Sequence, residues 1–253
     1  MVGNRRFPCD EIHGQNVDFV RAIMRSCNTF FYKYGLETGP DLIATEAHRF
    51  GFDEKTGIEL PSEFSSPHIA SPAWLRQFAE KRPGVDGRWN PGDTANTSIG
   101  QGYTLVTPLH VACMAASFAR GETRTKPTLL HDPNRPEQHT EPIGLSPSDY
   151  NAILEGLHQC YRFGTARLAQ VEGLDGAAKT GTAQKGKIDL AWMVAFAPLD
   201  NPQIAIAVVM EGTEPDVSYH GATYAAPIVK AILTAWKDKR ERPPEEKVNF
   251  KVH

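Results

Sequence analysis

The chain has 253 residues, 40% of them hydrophobic and 23% charged, with a net charge of −3. That is enough chain for one large globular domain or two small ones, and the acidic balance argues against nucleic acid as a partner, because phosphate binders carry a basic surplus. The longest apolar runs, Leu190–Leu199 and Ile204–Met210, are strand-sized and far short of the roughly 18 apolar residues of a membrane span. The N-terminus lacks the basic-then-apolar layout of a signal peptide, so the chain taken literally is expected to stay in the cytoplasm. The four cysteines, Cys9, Cys27, Cys113 and Cys160, are too widely spaced for the disulfide framework of a small secreted domain.

The first segment, Met1–Gln15, reads as irregular. Val17, Val20, Ile23 and Met24 have helical spacing and predict a short helix over Asn16–Arg25. Ser26-Cys27-Asn28 interrupts it. A second helix is expected from Thr29 to Tyr34, stopped by Gly35, and a third from Gly39 to Arg49 with Gly51 beyond it. Asp53–Asn96 reads as a long connection carrying one short helix near Ala73–Lys81. Thr107 caps a helix to Ala119 with Pro108 at its first position. Lys126–Leu130 is expected as a short strand and Asp132–Pro142 as a polar loop. Ser146 caps a further helix running to Tyr161. The period then changes from helix to strand. Gly176–Gln184, Asp189–Ala197 and Gln203–Glu211 read as three strands joined by short turns, hence antiparallel. A last helix, Ala222–Lys239, is expected to turn Ile228, Ile232 and Leu233 inward. Residues 1–239 therefore form one α+β domain, an antiparallel sheet packed against helices, and 240–253 a charged, disordered tail.

Two short motifs carry chemistry. Lys179-Thr180-Gly181-Thr182 lies on the first strand. Lys179 sets a positive charge beside a cleft, Thr180 and Thr182 place hydroxyls on one side of the strand, and Gly181 lets a ligand approach the backbone. Together they suit a carboxylate-bearing peptide laid along a strand edge. The bland alternative is a solvated strand. Ser26-Cys27-Asn28 sits at a helix junction, where Ser26 can pass a proton and Asn28 can donate and accept, or where both simply mark a helix boundary. Their order, S-x-N before K-T-G, is that of serine β-lactamases and penicillin-binding proteins.

The resemblance extends beyond the motifs. His13-Gly14, Ser26 to Tyr32, Phe50-Gly51-Phe52, Thr56 to Pro61, Gly92-Asp93, Ser98-Ile99-Gly100-Gln101-Gly102-Tyr103, Thr107-Pro108-Leu109, Ala191 to Pro198 and Ala225-Ala226-Pro227 resemble class B penicillin-binding proteins, the elongation-type penicillin-binding protein 2 above all. The resemblance implies a β-lactamase/transpeptidase-like fold and a serine D,D-transpeptidase that cross-links peptidoglycan stem peptides and binds β-lactam antibiotics. It implies that Ser26 and Asn28 flank the nucleophile and that Lys179, Thr180 and Thr182 bind the terminal carboxylate. The backbone N–H of Thr182 would serve the oxyanion hole. It further implies a full-length protein anchored in the cytoplasmic membrane, with this domain outside the cytoplasm, working with the cell-elongation machinery. No cofactor is required. Some elongation-type members use Asp, His and Cys near S-x-N as a zinc site, which makes Asp10, His13 and Cys27, with Cys9, a candidate structural zinc set beside the alternative of an unliganded loop.

One element is missing. No serine in the chain is followed three residues later by lysine, so the S-x-x-K motif that holds the family's nucleophile is absent. The expectation is an N-terminally truncated domain, inactive alone. Two other readings stand beside it: a serine β-lactamase or D,D-carboxypeptidase of the same fold, and a catalytically inactive pseudo-transpeptidase acting as a binding protein.

Overall fold

The computed structural model describes residues 2, 7–9, 13–14, 16–63, 67–130 and 139–242. Helices α1 (Phe19–Arg25), α2 (Asn28–Thr38) and α3 (Pro40–Arg49) come first. They are followed by α4 (Pro72–Glu80), α5 (Pro91–Ser98), α6 (Pro108–Arg120) and α7 (Pro147–Arg162). Strands β1 (Ala177–Lys185), β2 (Ile188–Ala197) and β3 (Ile204–Glu211) then form an antiparallel meander, and α8 (Gly221–Tyr224) and α9 (Ala226–Glu241) close the chain.

The caps follow the residue chemistry. Asp18, Ser71, Thr107 and Ser146 each accept a backbone N–H at the start of α1, α4, α6 and α7, satisfying a donor the helix leaves open. Proline stands in the first turn of α3 to α7, where its missing N–H costs nothing.

Strand β2 lies between β1 and β3 and is covered on both sides, which explains its unbroken apolar run. Met193, Ala195 and Ala197 face a core made with Cys160, Tyr161, Ala166, Val229 and Leu233. The alternate residue Phe196 faces a second core with Ala115 and Phe118, against which Val194, Ile153, Leu154 and Leu157 also pack. The sheet is thus a middle layer, with α9 on one side and α6 on the other, while α7 packs its earlier turns against the α6 core and its end, Cys160 and Tyr161, against the α9 core.

Several expectations change. The first helix starts at Phe19 rather than Asn16, because Asp18 takes the cap. The second runs through Gly35 to Thr38. Gly35 is no stop signal; a Cβ there would lie 2.3 Å from the Ser98 Cβ, so the glycine exists for close approach of α2 and α5. The long Asp53–Asn96 connection contains a second helix, α5, fixed by a capping box between Asn90 and Asp93. Lys126–Leu130 is not a strand; the local pairing is a single bridge between Glu122 and Pro142. Leu233 faces inward as expected, but Ile228 and Ile232 are exposed, and Val229 takes the inward face of α9 beside Leu233 instead. The tail beyond 242 and residues 132–138 of the expected Asp132–Pro142 loop lie outside the described residues. Among the described residues no helix is long and apolar enough to cross a membrane.

Candidate active site

Glycine contacts bring the two motifs together. Helix α1 packs on α7, where Gly156 accepts the Ile23 side chain; a Cβ at 156 would lie 2.7 Å from Ile23 Cδ1. Just past α7, Gly164 is tighter still. A Cβ there would lie 2.3 Å from the Met24 carbonyl oxygen and 2.7 Å from Cys160 Cα. The next residue, Thr165, donates its N–H to that same Met24 oxygen at 3.3 Å. The end of α1 is thereby held against the segment that leads into β1.

Helix α1 ends on Ser26 in the left-handed region, φ 55° and ψ 50°. The Cys27 N–H reaches back to the Ala22 oxygen at 2.9 Å, closing the helix. Glycine usually takes this conformation, and a serine there carries strain of about 1 kcal/mol. A non-glycine residue held so at a cleft is the pattern expected where side-chain direction matters more than local stability.

That direction is toward Lys179. The Lys179 ammonium donates to Ser26 Oγ at 2.8 Å and to the Thr180 carbonyl at 2.8 Å. Residues 153 positions apart are joined by this one bond. The protein around the ammonium lowers the Lys179 pKa by desolvation, opposed by the Cys160 thiol. A lysine of lowered pKa, hydrogen-bonded to a serine hydroxyl, is equipped to relay a proton. Thr180 Oγ1 lies 2.6 Å from Thr165 Oγ1, which lies 3.4 Å from the Cys160 sulfur. Gly181 is exposed on the outermost strand, beside the partly buried Thr180 and Thr182. Asn28 begins α2, and its backbone N–H donates to the Cys9 sulfur at 3.2 Å.

The same geometry collects possible metal ligands. Cys9 Sγ is 2.9 Å from His13 Nε2, and ligand atoms of Cys9, His13 and Cys27 all lie within 4.8 Å of one another. His13 is buried and its Nδ1 has no hydrogen-bond partner. Two sulfurs and an imidazole at this separation fit zinc. Asp10 lies outside the described residues.

Three residues that touch the site were not singled out from sequence. Thr165 and Cys160 sit in a stretch with no pattern of chemistry. Gln101 left a signal, a lone amide between two glycines, in a segment matched only by resemblance.

Comparison with known proteins decides the family. The model for the penicillin binding protein transpeptidase domain matches residues 5–234. The chain belongs to that family. It is 30% identical to the peptidoglycan D,D-transpeptidase MrdA of Acinetobacter baumannii, over 94% of this chain and 37% of that protein. It is 32% identical to the D,D-transpeptidase PbpA of Mycolicibacterium smegmatis, over 90% of this chain and 45% of that one. Among solved structures, penicillin-binding protein 2 of Helicobacter pylori superimposes with a TM-score of 0.75 at 30% identity, covering 94% of this chain and 43% of the other. The Pseudomonas aeruginosa penicillin-binding protein 2, in complex with WCK 5153, gives 0.70 at 33% identity over 86% of this chain and 48% of that one. The transpeptidase domain thus accounts for the α+β fold, and the chain spans less than half the length of these relatives.

Proposed function

We propose that these residues form the substrate-binding wall of a D,D-transpeptidase that cross-links peptidoglycan stem peptides. The 2.8 Å bond from Lys179 to Ser26 carries the reading, because it builds one polar cluster from the two motifs. In this reading Lys179, Thr180 and Thr182 receive the terminal carboxylate of a D-Ala-D-Ala peptide or of a β-lactam. A nucleophilic serine outside these 253 residues attacks the penultimate carbonyl, and the bond to the terminal D-alanine breaks. Ser26 and Lys179 pass the proton to the departing amine, Asn28 orients the peptide, and the Thr182 N–H stabilises the oxyanion. An acceptor amine then takes the acyl group. Membrane anchoring, and a partner such as the MreC bound by the similar H. pylori protein, belong to the same proposal.

Titrating the chain with a peptide ending in D-Ala-D-Ala is expected to shift the NMR signals of Lys179, Thr180 and Thr182, and the L-Ala-L-Ala peptide is expected not to. Equal shifts, or none, would sink the reading. Since no serine here has a lysine three residues on, fluorescent penicillin is expected to leave no covalent label on the chain. A label mapped to one of its serines would refute the assignment of the nucleophile.

We also propose that Cys9, His13 and Cys27 hold a structural zinc ion. Bound there, the metal would tie the segment before α1 to the start of α2, since Cys9 already contacts the Asn28 N–H. Elemental analysis should find zinc at one equivalent, and Cys27→Ser should lower both the zinc content and the melting temperature. Zinc-free protein of unchanged stability would dismiss the site.

A further inference from the structure

Strand β1 lies at the edge of the sheet, so one row of its backbone groups points away from β2. Gln101 identifies that row. Its side-chain Nε2 donates to the Thr182 carbonyl at 2.9 Å, and its Oε1 accepts the Gln184 N–H at 3.3 Å. One side-chain amide therefore pairs with the strand as a peptide group of a neighbouring strand does. In an antiparallel sheet the N–H and C=O of a residue point to the same side, alternating along the strand. Since Thr182 C=O faces outward, so does its N–H. Thr180, two residues earlier, shares that side, and its carbonyl is held by Lys179 at 2.8 Å. Between the Lys179 bond and the Gln101 pair, the Thr182 N–H points off the edge.

The loop that presents Gln101 is built for this. Gln101 follows α5, and its own N–H donates to the Asn96 carbonyl at 2.9 Å. Gly100 and Gly102, at φ 76° and 89°, take conformations that side chains resist, and so turn the amide onto the strand. The helix behind it is anchored where Ser98 meets Gly35. An open strand edge is a template for any extended chain, and a covered one is not.

We propose that Gln101 is a positioning residue that closes the β1 edge beyond Thr182, so that an extended ligand backbone can pair only along Thr180–Thr182. The ligand this admits is the end of a chain, two residues long, with its carboxylate near Lys179. A continuing strand would have to displace Gln101. The limit on ligand length rests on the transpeptidase reading; the closure itself does not.

Two variants of the 253-residue chain test it by amide exchange and NMR. Gln101→Met keeps the length of the side chain and loses both bonds, so exchange at the Gln184 N–H should accelerate about fivefold, the loss of one net hydrogen bond. Amides in β2 and β3 should stay unchanged. Gln101→Glu keeps the acceptor but not the donor, so protection at Gln184 should remain while the Thr182 carbonyl signal moves. A merely structural role would not separate the two. Unchanged exchange at Gln184 in Gln101→Met would overturn the proposal. With a D-Ala-D-Ala peptide added, amide shifts along β1 should end at Thr182 in the parent chain and reach Gln184 in Gln101→Met. Identical extents would likewise overturn it. No shift with either protein would count against the substrate reading, while the exchange experiment, which needs no ligand, still decides the role of Gln101.

Discussion

Gly164 offers the sharpest perturbation of how the cleft is held together. In Gly164→Ala the new Cβ would meet the Met24 carbonyl oxygen at 2.3 Å and Cys160 Cα at 2.7 Å. Carbon-to-oxygen contacts settle at about 3.3–3.6 Å, so roughly 1 Å of movement is needed. Both opposing atoms are backbone, one at the end of α1 and one in α7, and neither can rotate away. The end of α1 must therefore lift. The Lys179–Ser26 bond starts at 2.8 Å. A lift of about 1 Å would take it beyond hydrogen-bonding distance. Overpacking of this kind costs about 1–3 kcal/mol, and with a urea slope of about 2 kcal/mol per molar the midpoint should fall by roughly 0.5–1.5 M. Urea unfolding followed by circular dichroism reads the first effect, and the NMR signal of the Lys179 ammonium reads the second. A Met24→Ala, Gly164→Ala double variant removes the softer contact with the Met24 side chain, at 3.0 Å, but not the one with its carbonyl. It should stay destabilised relative to Met24→Ala. An unchanged midpoint in Gly164→Ala, or full rescue by Met24→Ala, would refute the argument that backbone contact positions Ser26.

The strain at Ser26 makes a second prediction. Ser26→Ala and Ser26→Gly both lose the hydroxyl, but only glycine relaxes at φ 55°, so the glycine variant should be the more stable by about 1 kcal/mol in urea unfolding. Equal midpoints would show that the left-handed conformation costs nothing here. Lys179 gives a pH test. Its folded pKa lies below the ordinary 10.5, so the unfolded chain binds more protons in the window between, and stability rises with pH there. The stability of Lys179→Met relative to the parent should therefore decline as pH climbs through that window; a pH-independent difference would contradict the desolvation. Glu122 shows the same sign of pH dependence, in the acid range. Burial pushes its carboxyl up, but hydrogen bonds from His139, Thr140 and Arg120 outweigh it and hold the pKa at about 2, against an ordinary 4.5. Its contribution is present above 4.5 and should be lost as pH falls toward 2. Glu122→Gln should flatten that part of the acid-unfolding curve, and an unaltered curve would disprove the role.

Local signals in the sequence were enough for most of the elements. Thr107 and Ser146 announce their helices because a cap needs only a hydroxyl and the next turn. The three strands are legible because a sheet covered on both faces leaves apolar runs broken only by turns. Gly35 deceives for the same local reason. A glycine in a helical stretch looks like a stop unless the residue across from it, Ser98, is known. Ile228 and Ile232 read as inward because periodicity gives the width of an apolar stripe, not which part of it meets the sheet. Helix α5 was hidden because its residues are small and polar, and only the reciprocal Asn90–Asp93 cap holds its first turn.

The candidate site divides along the same line. By itself the sequence carried the resemblance to the family, in S-x-N, K-T-G and the segments between them, and it established that no S-x-x-K stands among these residues. Tertiary structure alone decided that Ser26 touches Lys179, that Cys9 joins His13 and Cys27, and that Gln101 covers the strand edge past Thr182. Motifs record which groups the chemistry needs. Their meeting depends on contacts made by residues with no chemistry of their own, such as Gly156 and Gly164. Those contacts join helices and strands far apart in the chain, where composition, period and spacing carry no information.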